Sequence, residues 1–134
     1  MTTTPGSSIW RLVDTSVAVD VLRQDPAVMQ RYAQIDPVIA VIAIGELYYG
    51  AQRAQRPERQ RALITNLISS SKVVLCDEET ARHYASIRYR LEQQGIRMPE
   101  NDIWIAAAAE QHQLPIATRD GHFRSLTWMT IEFW

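Results

Sequence analysis

Residues 100–120, ENDIWIAAAAEQHQLPIATRD, put an alanine-rich helix and a short apolar strand in one line. Asn101 is a helix-capping type, and the segment from Asp102 to about Gln113 reads as a buried helix. Leu114–Pro115 ends it, and LPIATRD reads as a strand that finishes on an acid, Asp120. A helix that feeds directly into a buried strand is the signature of a parallel sheet, because parallel strands need a crossover rather than a hairpin.

The same grammar extends in both directions. IWRLVD (9–14) reads as a strand ending in Asp14. Thr15 and Ser16 then cap a short helix over VAVDVLR. Pro26 opens a second helix to about Ile35. Pro37 closes it, and VIAVIA (38–43) reads as a continuous buried strand. In IGELYYGAQRAQ, Ile44, Leu47, Tyr48 and Ala51 fall at helical spacing. Pro57 starts another helix with Leu63, Ile64, Leu67 and Ile68 on its apolar face. KVVLCD (72–77) is a third strand, and Glu78–Gln94 a long helix stopped by Gly95. LTWMTIEFW (126–134) offers a last strand. Strands alternate with helices and no tight hairpin appears. The expected fold is therefore α/β, with a mostly parallel central sheet and helices on both faces. Residues 1–8, MTTTPGSS, carry no apolar anchor and are expected to form a flexible tail; residues 9–134 are expected to form one domain.

Composition narrows the function classes. The chain has 134 residues, 46% hydrophobic and 22% charged, with a net charge of -1. That is globular composition, and a nucleic-acid contact would have to come from a local patch. Only one of the 14 basic residues is lysine, Lys72; arginine forks onto phosphate and stacks on bases. Clusters at Arg53, Arg56, Arg59 and Arg61, and at Arg82, Arg88, Arg90 and Arg97, suit RNA, although solvated helix faces account equally well for any one of them. The single cysteine, Cys76, rules out an internal disulfide and is expected to be a small buried hydrophobe. No apolar run approaches the roughly 20 residues of a membrane helix, and no secretory signal opens the chain, so a cytoplasmic protein is expected.

The chemistry lies in the acids. In an open α/β sheet the site sits beyond the carboxyl ends of the strands. Asp14 and Asp120 end two predicted strands there. Glu46 lies one turn into the helix after the second strand, and Asp102 in the first turn of the helix after MPEN. Each has a plain alternative: a helix start for Asp14 and Asp102, a surface position for Glu46, an Asp-Gly turn for Asp120. Together they can face one edge of the sheet. Four carboxylates in one cleft repel, and a hard divalent cation such as Mg²⁺, with Mn²⁺ as substitute, would relieve the repulsion. Such a site can activate water for phosphodiester cleavage. Ser16 and Thr118 lie near the same strand ends as supporting hydroxyls, and Arg119 precedes Asp120 as a candidate substrate contact.

In this order, LVDTSVAVDVL (12–22), IAIGELYYGA (42–51), ENDIWIAAAAEQHQLPIATRD (100–120) and GHF (121–123) resemble the PIN-domain nucleases, and among them the VapC-type toxins of VapBC toxin–antitoxin pairs. The resemblance runs from about Ile9 to Phe123. It implies a three-layer α/β/α fold and cleavage of single-stranded RNA with Mg²⁺ or Mn²⁺. It assigns Asp14, Glu46 and Asp102 to the metal, with Asp120 completing the quartet at a position that is often Asn, and Ser16 as a hydrogen-bonding support. It also implies a homodimer and inhibition by a VapB-type antitoxin laid across the groove. Tyr48, Tyr49 and the first two helices are the expected antitoxin contact.

Other readings fit less well. A haloacid-dehalogenase-type phosphatase needs a second Asp where Ser16 stands. A receiver-like module needs a lysine at a late strand end, where Arg119 stands. A PIN fold that binds without cutting is opposed by the complete acid set. The three histidines are not expected to be catalytic, although His122 is close enough to Asp120 to reach substrate.

Overall fold

A computed structural model of the chain describes residues 9–134; the expected tail, residues 1–8, lies outside them. Five strands form one sheet: β1 (Trp10–Val13), β2 (Asp36–Ala40), β3 (Lys72–Val74), β4 (Ile116–Thr118) and β5 (Ile131–Phe133). Their order is β3-β2-β1-β4-β5, and every pairing is parallel. The helices are α1 (Thr15–Leu22), α2 (Pro26–Tyr32), α3 (Val41–Gln52), α4 (Pro57–Ser69), α5 (Glu78–Gln93) and α6 (Glu100–Gln111), with a 3₁₀ turn at Gly121–Ser125.

The strand order explains where a site can form. β1 to β2 to β3 steps outward in one direction, and β4 then returns to the other side of β1. Crossovers between parallel strands are right-handed, so the reversal sends α5 and α6 to the face opposite α1–α4. The result is a helix–sheet–helix sandwich. The reversal also leaves a crevice at the carboxyl ends of β1 and β4.

The core is built around the two strands that flank this crevice. Leu12 lies level with Val38 on one side and Ile116 on the other, and Val13 with Ala117. All of these side chains are buried. α6 is buried nearly all round: Ile103, Ile105 and the four alanines 106–109 are each at most 4% exposed. Small side chains let this helix pack closely against its neighbours. Tyr84 of α5 stacks on Trp104 of α6 with ring centroids 4.1 Å apart. α5 opens with a reciprocal cap between Asp77 and Thr80 and ends at Gly95, whose φ of 69° suits a residue without a side chain.

Several boundaries differ from the sequence expectation; the last strand, for one, spans only Ile131–Phe133 of 126–134. The apolar run VIAVIA is strand only to Ala40; α3 begins at Val41 without a side-chain cap. The second helix ends at Tyr32, not Ile35. α6 begins at Glu100 with Pro99 as its cap, so Asn101 lies inside the helix. β3 stops at Val74, which leaves Leu75 and Cys76 exposed. Cys76 is therefore not a core hydrophobe.

Candidate active site at the carboxyl edge of the sheet

Asp14 is the first residue beyond β1 and caps α1. Its backbone is extended, with φ -79° and ψ 179°, which turns the side chain back over the helix start. One carboxylate oxygen accepts from the Val17 N–H at 3.0 Å and the Ser16 hydroxyl at 2.7 Å. The other accepts from the Thr118 hydroxyl at 2.5 Å. The residue is 2% exposed. Burial pushes its carboxyl above the ordinary 3.8; the three donors hold it down and Asp120 adds repulsion.

The end of β4 carries the second half of the site. The Thr118 hydroxyl accepts from the Asp120 N–H at 2.9 Å while donating to Asp14. One hydroxyl thus ties the two strand ends together. Ser16 does the same from the helix side, accepting from the Arg119 N–H at 3.0 Å while donating to Asp14. Asp120 caps the 3₁₀ turn by accepting from the His122 N–H at 2.9 Å. That turn folds the His122 ring back, and its Nδ1 lies 3.0 Å from Asp120 and 3.5 Å from Asp102.

Glu46 comes from one turn inside α3, between the buried Ile44 and Leu47. The Thr15 hydroxyl donates to it at 2.6 Å, so α1 positions this acid as well. Asp102, in the first turn of α6, closes the group. Desolvation raises its carboxyl to about 6, and Asp120, Asp14 and Glu46 each push in the same direction, with His122 opposing. All four expected acids are thereby brought to one place. Asp102, Asp120 and His122 offer ligand atoms within 4.8 Å of one another.

Two residues sit differently from expectation. The Arg119 guanidinium is not turned toward the acids. It bonds Asp20 at 2.9 Å, Asp25 at 3.3 Å and the Trp134 carbonyl at 3.3 Å, and only its backbone N–H reaches the site, through Ser16. His122 lies beside Asp120, as its spacing predicts, and also beside Asp102, which the sequence does not indicate. The Asp120–Gly121–His122 spacing was the available signal, since a tight turn returns residue i+2 to its cap. Of the expected RNA-facing arginines, several are engaged locally: Arg82 with Glu78, Arg88 with Glu92 and Glu100, and Arg90 over the Trp128 ring at 4.0 Å.

The PIN domain family model matches residues 11–128. The chain belongs to the PIN-domain family, among its VapC-type members. Ribonuclease VapC2 of Haemophilus influenzae is 31% identical over 112 residues, covering 81% of this chain and 85% of its own length. The tRNA(fMet)-specific endonuclease VapC of Shigella flexneri is 30% identical over 112 residues, with the same coverage. A crystal structure of DNA-bound VapBC from Salmonella typhimurium superposes with a TM-score of 0.86 at 26% identity, covering 95% of this chain and 98% of that one. The parallel sheet, the reversal at β1 and β4, and the acids beyond it are this PIN domain's version of a shared α/β/α frame.

Proposed function

We propose that this PIN domain is a divalent-metal-dependent endoribonuclease acting on single-stranded or looped RNA, and the toxin of a toxin–antitoxin pair. The observation that carries the reading is the charge on Asp102. Desolvation and the three carboxylates Asp120, Asp14 and Glu46 together push the Asp102 carboxyl up to about 6, with His122 opposing them. The names of the similar proteins support the same activity, as ribonucleases and an RNA-specific endonuclease.

The donor set fits Mg²⁺ or Mn²⁺. Asp14, Glu46, Asp102 and Asp120 supply hard oxygen donors, with the His122 imidazole at the rim. Such a cation would polarise a phosphoryl oxygen and lower the pKa of a water in the same site. The chain's own groups hold the geometry for this. Thr118 and Ser16 fix both oxygens of Asp14, so that the buried acid cannot rotate. Thr15 fixes one oxygen of Glu46. Among the described residues Asp102 receives no comparable hydrogen-bond donor, and its side chain is 15% exposed. His122 is more than half exposed and stands where a phosphate or base of RNA would pass.

A VapB-type antitoxin is the partner this reading implies, with a homodimer as the assembly and the cytoplasm as the location. Support comes from similar chains solved as VapBC complexes. Tyr48 and Tyr49 are exposed on the helix that carries Glu46, placed to anchor a partner across the groove. Among the described residues no helix is long and apolar enough to cross a membrane.

The test is cleavage of total cellular RNA by the purified chain with Mn²⁺ or with EDTA, beside Asp14→Asn. New RNA ends that require both metal and Asp14 are expected. Equal cleavage by the variant, or cleavage in EDTA, would remove the metal-nuclease reading.

A further inference from the structure

We propose that Arg119 is a positioning residue, whose guanidinium, tied to Asp20, Asp25 and the Trp134 carbonyl, sets the strand end that holds Ser16 against Asp14 and carries Asp120 into the acid cluster. The inference rests on the metal-nuclease reading of the same acids.

Arg119 is the residue between Thr118 and Asp120. Its side chain leaves the site and binds three other parts of the fold: Asp20 near the end of α1, Asp25 at the cap of α2, and Trp134 just past β5. Asp25 is itself fixed by accepting from the Val28 N–H at 3.1 Å. A guanidinium held at three points fixes the torsions of its own residue. Those torsions aim the Arg119 N–H at Ser16, 3.0 Å away, and Ser16 in turn donates to Asp14 at 2.7 Å. They also fix the departure of the chain into Asp120, whose N–H bonds the Thr118 hydroxyl shared with Asp14. Two acids of the cluster therefore depend on the two peptides that flank Arg119, and that residue is held from outside the site. Trp134 adds a second tie to the same strand, donating its N–H to the Thr118 carbonyl at 2.8 Å.

Partners that orient metal-binding groups typically change metal affinity by about 10–100-fold when removed. The experiment uses the full chain and measures Mn²⁺ affinity by titration calorimetry, melting temperature, and kcat and KM for RNA separately. The variants are Arg119→Ala, Arg119→Lys and Asp20→Asn. Arg11→Ala is the control, because Arg11 pairs with Glu132 at 2.7 Å and so loosens the same sheet edge away from the acids. Arg119→Ala is expected to weaken Mn²⁺ by roughly 10-fold and to lower kcat with KM unchanged. Arg119→Lys keeps the charge opposite Asp20 but loses the fork, and should recover part of the affinity. Arg119→Ala combined with Ser16→Ala should weaken Mn²⁺ by less than the two single effects together, because both act through one bond. Arg11→Ala should lower only the melting temperature.

A raised KM with unchanged Mn²⁺ affinity in Arg119→Ala and Asp20→Asn would overturn the proposal in favour of an RNA contact. A lowered melting temperature alone would overturn it in favour of a plain edge staple. If the wild type binds no Mn²⁺, the metal reading falls and this proposal with it; if the wild type binds and the variants bind equally, only the role of Arg119 falls.

Discussion

Asp14 and Asp102 lie in the same crevice and burial raises both carboxyls, yet they differ in the donors the fold gives them. Asp14 is buried under three donors, from Val17, Ser16 and Thr118. Asp102 faces three carboxylates, and among the described residues its ion-pair partner is the His122 ring at 3.5 Å. The first acid is part of the scaffold: it caps α1 and joins β1 to β4. The second is a charge that the protein alone leaves uncompensated. The contrast teaches that acids brought together for one chemistry need not contribute alike to stability, and a divalent cation is the component that would satisfy both.

The largest expected effect is on Asp14. Asp14→Ala leaves the Thr118 and Ser16 hydroxyls and the Val17 N–H without their acceptor and removes a helix cap. It should abolish RNA cleavage and lower stability by about 2 kcal/mol, read by denaturant unfolding. Asp102→Ala should abolish cleavage equally while leaving stability in EDTA at or above that of the wild type. If the two variants unfold alike, the contrast is broken.

Next comes pH. In the folded chain the Asp102 carboxyl holds its proton up to about 6, against 3.8 for the free group. A group whose pKa is raised on folding stabilises the fold fully below its unfolded value. That stabilisation is lost as pH climbs through its folded value. In EDTA the raised Asp102 carboxyl should therefore contribute a loss on the order of 2 kcal/mol between pH 4 and pH 7, and Asp102→Asn should show a correspondingly flatter profile, with Asp14 supplying what remains. Chelated melting curves across that range check it; a flat profile in the wild type would show that Asp102 is compensated after all.

A smaller effect is expected at Thr15. Thr15→Val removes the donor to Glu46 without changing side-chain shape much. It should weaken Mn²⁺ binding toward the low end of the roughly 10–100-fold range for orienting partners, with the melting temperature nearly unchanged. The smallest is at His122. Its ring lowers the Asp102 pKa, so His122→Ala should move the Asp102 titration in the chelated chain upward, as followed by carboxyl-carbon NMR. A downward move would mean that the ring is not the opposing charge.

The acids were legible in the sequence because strand ends and helix starts mark one edge of a parallel sheet whatever the packing details. Asp14 and Asp120 end short apolar runs, and Asp102 lies in the first turn of an alanine-rich helix. The β2–α3 junction was not legible. VIAVIA is buried through Val38–Ala40 while Val41 is exposed, and in sequence a buried strand and the start of a helix show the same unbroken apolar run. Ala40 offers no capping side chain to mark the change. The sequence places Arg119 beside Asp120 but does not give the direction of its guanidinium, which turns to Asp20, Asp25 and the Trp134 carbonyl. Its partners Asp20 and Asp25 lie about a hundred residues earlier, and no local pattern gives the direction of a long side chain. Cys76 was read as buried because an apolar run was taken to continue through it; the strand ends two residues earlier. His122 needed the 3₁₀ turn and the tertiary approach of α6 before its place beside two acids could be seen.

The most direct test of the central claim is the melting temperature of the wild type and Asp102→Asn at pH 7, each with EDTA and with millimolar Mn²⁺. A ligand that binds only the native state raises its melting temperature by mass action. The account predicts that the variant is the more stable in EDTA, and that Mn²⁺ raises the wild type well above its own EDTA value while barely moving the variant. Equal Mn²⁺ shifts in both proteins, or a variant that is less stable in EDTA, would contradict it.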